Sequence, residues 1–341
     1  MSKFNKLNVL NNNRPPLLIA EISCNHAGSK NLFLKHILSA HKNGADLVKI
    51  QTYEPNDMVV SKNFKIKDGL WKGKKLYNLY KKACTPYSWH KDAFKLAKKN
   101  NINLFSTPFS IKSLEFLKKF KPNLYKISSF EITDLNLIME VAKTKKPIII
   151  STGLATNMEI RKAVNVIKRY HDKIILMYCV SGYPTPLEDV NFKRFAELKK
   201  IFKVNLVGFS DHTKGILAST IASSYNIAAI EKHFILDKGI NSEDKKFSIT
   251  PDELNNLKIN IHKVHKMMFG KSSNSEKKNI KFRRSIYAIK DIEKGDVFSK
   301  ENIQTFRPKI GIDAALYNKV VGKKVIKKIK KNDPIKLKFF K

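Results

Sequence analysis

Eight short runs of aliphatic and β-branched residues alternate with eight amphipathic stretches over residues 17–269 of this 341-residue chain. This alternation constrains the fold more than any other feature. Continuous apolar runs that trade places with 3.6-period stretches are the mark of parallel strands joined by crossover helices. The runs occupy 17–23, 46–52, 102–107, 124–129, 147–153, 173–179, 205–211 and 228–234. Helical periodicity covers 30–43, 89–100, 111–120, 134–144, 157–170, 193–202, 215–225 and 251–269. The last stretch opens Thr250-Pro251-Asp252-Glu253, an N-cap, a proline at the first helical position and acidic first-turn residues, and Gly270 supplies its stop. Eight strand–helix pairs predict an α/β chain folded as a (β/α)8 TIM barrel. No GxGxxG or GxxxxGK[ST] occurs to support a dinucleotide-binding or P-loop fold.

Beyond the barrel, 271–279 is polar and without apolar period, which predicts a linker. From 280 to 341 the texture changes to short β-like runs around a turn at Glu293-Lys294-Gly295-Asp296, which predicts a small, mostly β domain. The expected organisation is a catalytic barrel over 1–270, a linker over 271–279 and a second domain over 280–341. An insertion at 53–88, rich in aromatic residues (Tyr53, Trp71, Tyr77, Tyr80, Tyr87), is expected to cap the barrel mouth.

The chain carries 66 Lys+Arg against 29 Asp+Glu, a formal charge of +37, which raises the question of a nucleic-acid partner. Only seven of the 66 are arginine, whereas recognition of base edges and phosphates favours the guanidinium fork. The lysines sit on polar helix faces, as at Lys95, Lys98 and Lys99, and the expectation is no nucleic-acid partner. Cys24, Cys84 and Cys179 form no CxxC pair, the first sixteen residues hold no long apolar leader, and no window approaches 18 apolar residues. A reducing, cytoplasmic setting without a membrane partner is expected.

A (β/α)8 barrel keeps its chemistry at the C-terminal ends of its strands. Here those ends are polar on nearly every strand: Glu21, Ser23, Asn25, His26; Lys49, Gln51; Ser106, Thr107; Lys126, Ser128, Ser129, Glu131; Ser151, Thr152, Gly153; Ser181, Tyr183; Ser210, Asp211, His212; Glu231, His233. Lys49 and Lys126 interrupt apolar strands, where an unpaired ammonium is costly, so each demands an anion. A ligand phosphate held with Thr107, Ser129, Ser151 and Ser210 satisfies that demand. A Lys–Glu pair within the barrel, for instance with Glu21, satisfies it too, and a Schiff-base lysine is the chemical rival. His212 and His233 end neighbouring strands and, with Asp211 and Glu231 nearby, suit either a divalent cation or ordinary structural hydrogen bonds.

The motifs IAEISCNHAG (19–28), VKIQTY (48–53), YKISSFE (125–131), ISTG (150–153), YPTPLEDVN (183–191), GFSDHT (208–213) and IEKHF (230–234) resemble, in order and position, those of the sialic acid synthase family. Residues 280–341 resemble its C-terminal antifreeze-like (SAF) domain. The resemblance implies a transferase reaction: phosphoenolpyruvate (PEP) plus an amino-sugar aldehyde gives a nine-carbon 2-keto acid and phosphate. Within the family, 67–90 and 241–250 resemble the branch that makes pseudaminic acid, whose acceptor is 2,4-diacetamido-2,4,6-trideoxy-L-altrose. Synthases of N-acetylneuraminic and legionaminic acid carry a Gly-Pro-Asp-type motif where Ser242-Glu243-Asp244 stands here.

The resemblance further implies a divalent metal (Mn2+, Mg2+ or Co2+) on His212 and His233, and a domain-swapped homodimer. It implies PEP contacts from Lys49, Thr107, Lys126, Ser129, Ser151, Ser181, Tyr183 and Ser210. Glu131 is expected to position or deprotonate the attacking water, with Glu21 as the second catalytic candidate, in contact with the sugar. Gln51, Asn25, Asp244 and Arg307 are expected on the sugar.

Overall fold

Each of the eight apolar runs forms a strand: β1 Leu17–Glu21, β2 Leu47–Thr52, β3 Leu104–Pro108, β4 Tyr125–Ile127, β5 Ile148–Ser151, β6 Ile174–Cys179, β7 Val207–Asp211 and β8 Ala229–His233. The structure, a computed structural model, describes residues 14–340. The N-terminal stretch in which no long apolar segment is read lies, as far as residue 13, outside the described residues. All eight strands run parallel, and β1 pairs with β8 to close the barrel. The helices fall where the 3.6-period stretches lie; that at Pro251–Phe269 carries the expected N-cap, closed into a reciprocal capping box, with Thr250 N donating to Glu253 Oε2 at 2.8 Å and Glu253 N to Thr250 Oγ1 at 3.4 Å.

Strand alternation sorts side chains into two layers. Even-numbered residues of β1 and β2 such as Leu18, Ala20, Val48 and Ile50, with Phe209 of β7 and Ile230 of β8, pack outward against the helices. Ile19, Leu47, Phe105, Ile149, Ile175 and Met177 point inward and plug the barrel floor. Above that plug the same inward parity delivers Glu21, Lys49, Thr107, Lys126, Ser151, Cys179, Ser210, Glu231 and His233, all buried. At Gly208 a Cβ would lie 2.7 Å from Ala229 O, so only glycine lets β7 approach β8 this closely.

The chain divides into two compact units, Met1–Phe269 and Gly270–Lys341. The second contains an antiparallel pair, β9 Ser285–Ala288 with β10 Ile303–Phe306, over a core that includes Ile286, Phe298, Ile303, Val325 and Ile335. The stretch read as a linker is not irregular throughout, because Ser275–Phe282 coils into a 3-10 helix. Among the described residues no helix is long and apolar enough to cross a membrane.

Candidate active site

Lys126 and Lys49 both converge on Glu231. Lys126 Nζ lies 3.3 Å from each Glu231 oxygen; Lys49 Nζ lies 3.2 Å from Glu231 Oε1 and 3.0 Å from Glu21 Oε2. None of the four side chains is more than 5% exposed. The intramolecular Lys–Glu pair anticipated as one option is therefore present at Lys49. Thr107 Oγ1 accepts from Lys49 at 3.4 Å, and Ser210 Oγ donates to Glu231 Oε1 at 3.2 Å. Burial opposes the charge on Lys49, but Glu21 and Glu231 more than offset it and raise its pKa. For Lys126 burial wins and the pKa is lowered, although Glu231 pulls the other way. Burial likewise opposes ionisation of Glu231, and the two lysines overcome it and hold the carboxylate ionised.

Beside this cluster lies an arc of small polar groups. Gly153 N donates to Ser129 Oγ at 3.2 Å, and Cys179 Sγ lies 3.2 Å from Ser129 Oγ and 3.7 Å from Ser181 Oγ. Ser151 Oγ is buried without a hydrogen-bond partner in the protein. A buried hydroxyl left unpaired costs free energy, so a ligand that supplies its partner recovers that cost.

The imidazoles of His212 and His233 stand edge to face with centroids 5.4 Å apart. His212 Nδ1 is 3.1 Å from the Val180 carbonyl, which can only accept, so Nδ1 donates there and Nε2 is the ring nitrogen not engaged by that carbonyl. His233 Nδ1 lies 3.2 Å from Asp244 Oδ2, although no hydrogen bond is aligned between them. Backbone carbonyls and carboxylates behind imidazoles are the usual supports of metal ligands, and these two residues fit a divalent ion. Among the described residues no group of three or more His, Cys, Asp or Glu side chains converges for that purpose. Were these two imidazoles to hold such an ion, its remaining positions would be left to water and substrate.

The insertion reaches this site. Trp71 packs on Tyr183 at 5.7 Å between centroids, and Tyr183 packs on His212 at 4.5 Å. Lys74 and Lys82 pair with Glu243 at 2.5 and 2.9 Å, which ties the insertion to the segment that carries Asp244.

The NeuB family model matches residues 36–273, and the SAF domain model matches residues 283–341. The chain belongs to the NeuB family. It is 44% identical over 333 residues to the pseudaminic acid synthase of Campylobacter jejuni serotype O:23/36, covering 96% of this chain and 97% of that protein. The N,N'-diacetyllegionaminic acid synthase of C. jejuni serotype O:2 is 39% identical over 330 residues, at 94% and 98% coverage. Among solved structures, the N-acetylneuraminic acid synthetase of Leptospira borgpetersenii in complex with citrate superposes with a TM-score of 0.71 at 29% identity, covering 78% of this chain and 90% of that one.

Within this NeuB barrel most of the anticipated residues share the mouth, with instructive exceptions. Glu131 lies beyond β4, accepts a hydrogen bond from Ser128 Oγ, and has its pKa raised to about 7, chiefly by burial. Gln51 Nε2 donates to Glu21 Oε1 at 3.0 Å and Ser23 Oγ at 3.1 Å. Asn25, anticipated on the sugar, has its polar groups engaged within the protein. It is fully buried, its amide donates to Phe234 O and Ser248 Oγ at 2.8 Å each, and its carbonyl accepts from Ser242 Oγ at 2.6 Å. Its polar atoms are spent in bracing the segment after β8. Asp211 and Glu231 are also not free to join a metal, since Asp211 pairs outward with Lys232 at 3.0 Å and Glu231 holds the two inward lysines. Arg307 follows β10 in the second unit and is exposed.

Sequence reasoning missed Cys179, the bridging part of Glu231, and the clamp on Glu243. For Cys179 and Glu231 the inward parity of β6 and β8 was the available signal.

Proposed function

We propose that this NeuB-family enzyme condenses PEP with 2,4-diacetamido-2,4,6-trideoxy-L-altrose and water to give pseudaminic acid and phosphate. The end-to-end likeness to the Campylobacter pseudaminic acid synthase carries this reading. Ser242-Glu243-Asp244 in place of the Gly-Pro-Asp-type motif further supports it over an N-acetylneuraminic or legionaminic acid product.

PEP brings up to three negative charges, which Lys49 and Lys126 meet at the barrel centre. Thr107, Ser129, Ser151 and Ser210 hold its phosphate, and Ser181 and Tyr183 hold its carboxylate. C3 of the enol attacks the aldehyde carbon, the aldehyde oxygen takes up a proton, and positive charge develops at C2. Water adds to C2 and gives its proton to Glu131, whose raised pKa suits a group that both accepts and returns a proton. The tetrahedral adduct collapses by C–O cleavage and releases phosphate. Glu21, fixed by Gln51 and Lys49, orients the sugar, with Gln51 and Asp244 as further hydrogen-bonding groups. A divalent metal on His212 and His233, whether Mn2+, Mg2+ or Co2+, would polarise the aldehyde oxygen as a Lewis acid when bound.

The reading includes a cytoplasmic, domain-swapped homodimer built from a barrel at 1–270, a linker at 271–279 and an SAF domain at 280–341. Support comes from the apolar residues exposed beyond β4, β5 and β6, namely Phe130, Leu154, Met158 and Leu187 at 53–71% exposure. A second protomer's SAF domain covers such a rim and brings Arg307 to the acceptor.

Phosphate release with PEP and Mn2+ tests the function, with the altrose acceptor compared with N-acetylmannosamine. Release with the altrose sugar alone, abolished by EDTA, is expected; release with N-acetylmannosamine instead overturns the acceptor. The lowered pKa of Lys126 favours one second reading, a Schiff-base aldolase. Borohydride trapping with pyruvate decides it, since only the aldolase leaves a covalent adduct.

A further inference from the structure

On the outer face of the barrel, one residue before each imidazole, lies a second buried ion pair. Asp211 of β7 and Lys232 of β8 are register partners, and both side chains are 0% exposed. They point away from the mouth, into the layer of Phe209 and Ile230 that packs on the helices. Their successors by parity at the mouth are His212 and His233.

The contacts of the pair are concentrated on the backbone around His212. Asp211 Oδ1 accepts from Thr213 N at 2.8 Å; Oδ2 accepts from Ser219 Oγ at 2.6 Å and faces Lys232 Nζ at 3.0 Å. Lys232 Nζ also donates to Thr213 O. Thus Asp211, before His212, holds the backbone N–H of Thr213, after it, while the Thr213 carbonyl accepts from Lys232, whose neighbour in sequence is His233. On the other side, Thr185 N donates to the His212 carbonyl at 3.0 Å. The β7 and β8 ends that carry the two imidazoles cannot shift against each other without breaking charged hydrogen bonds away from water.

Stability alone gives little reason to keep such a pair. Desolvating two ions largely cancels their attraction, and well-packed apolar replacements of similar volume are often neutral or stabilising. What apolar side chains cannot reproduce is direction, because they pack without a preferred hydrogen-bond geometry. We propose that the Asp211–Lys232 pair is a positioning device that holds the His212 and His233 imidazoles at the separation and orientation that binds a divalent cation. This rests on the reading of His212 and His233 as metal ligands given above.

The test is direct Mn2+ binding to the metal-free full-length protein, followed by the EPR signal of free Mn2+, with PEP affinity and Tm measured alongside. In Asp211→Leu/Lys232→Met, which removes both charges at similar volume, Mn2+ affinity is expected to fall about 10- to 100-fold, as when supports behind metal ligands are removed. PEP affinity should stay within about twofold and Tm should hold or rise. Ser219→Ala, which removes one support of Asp211 and leaves the ion pair, should weaken Mn2+ several-fold and keeps the test decisive if the double variant does not fold. A folded double variant, or failing that Ser219→Ala, with unchanged Mn2+ affinity overturns the proposal. Wild-type protein that binds no Mn2+, or binds it as well after His212→Ala and His233→Ala, instead overturns the metal reading beneath it.

Discussion

Lys126 and Glu231 face each other across the barrel, on β4 and β8 of a closed eight-stranded ring, with Nζ 3.3 Å from both carboxylate oxygens. Because Glu231 also holds Lys49, one carboxylate restrains two ammonium groups above the apolar plug of the barrel. With Glu21 also on Lys49, two carboxylates balance the two ammonium groups before any anion enters.

Glu231→Gln keeps the shape of this bridge and removes its charge. Leaving buried ammonium groups under-compensated costs about 3–5 kcal/mol, so Tm should fall by about 5–10 °C. Added PEP supplies the missing negative charge, so its stabilising shift in Tm should be larger in the variant than in the wild type. Equal PEP shifts in the two proteins would show that Glu231 and PEP do not share the lysines.

Glu131 predicts a pH dependence. As the group that accepts a proton it works ionised, and its raised pKa means it is ionised only above about 7. The kcat/KM should therefore rise with pH through an apparent pKa of about 7 and level off above it. Glu131→Gln should lower kcat by about 100-fold or more and abolish that acid limb. Persistence of the limb in the variant assigns it to another group.

Gly153→Ala probes the polar arc. A Cβ here would stand 2.3 Å from Ser181 Oγ and 2.9 Å from both Cys179 Sγ and Ser129 Oγ. These are side-chain ends, which can rotate away, so the barrel should stay folded while the arc is disordered. The expected result is a KM for PEP raised about tenfold or more, equivalent to roughly 1.4 kcal/mol of lost binding, with a Tm close to wild type. An unchanged KM for PEP removes the arc from its binding site.

Arg307→Ala separates the two substrates. The acceptor's KM should rise about tenfold while PEP affinity stays within about twofold, because only the acceptor is assigned to this arginine. Exposed surface ion pairs are worth at most about 1 kcal/mol of stability, so an arginine with only that role would leave the acceptor's KM unmoved.

Much of this was legible in the residue order. Alternation of two periods determined the parallel barrel, and its strand ends determined where polar side chains gather, because a strand buried on both faces tolerates Lys49, Lys126 or Glu231 only where something answers their charge. The His212 and His233 positions followed from the same reasoning, whereas the family resemblance rested on the motifs and their order. Local sequence could not say which groups answer one another. That depends on barrel closure and tilt, which bring β4 opposite β8 and place residues more than a hundred positions apart within hydrogen-bonding distance. Tertiary structure alone therefore gave Glu231 to both lysines, joined the outward-facing Asp211 to Lys232, spent Asn25 on the segment after β8, and brought Lys74 and Lys82 to Glu243. The period of a strand sets which side of the sheet a residue faces; only the closed ring decides what it meets there.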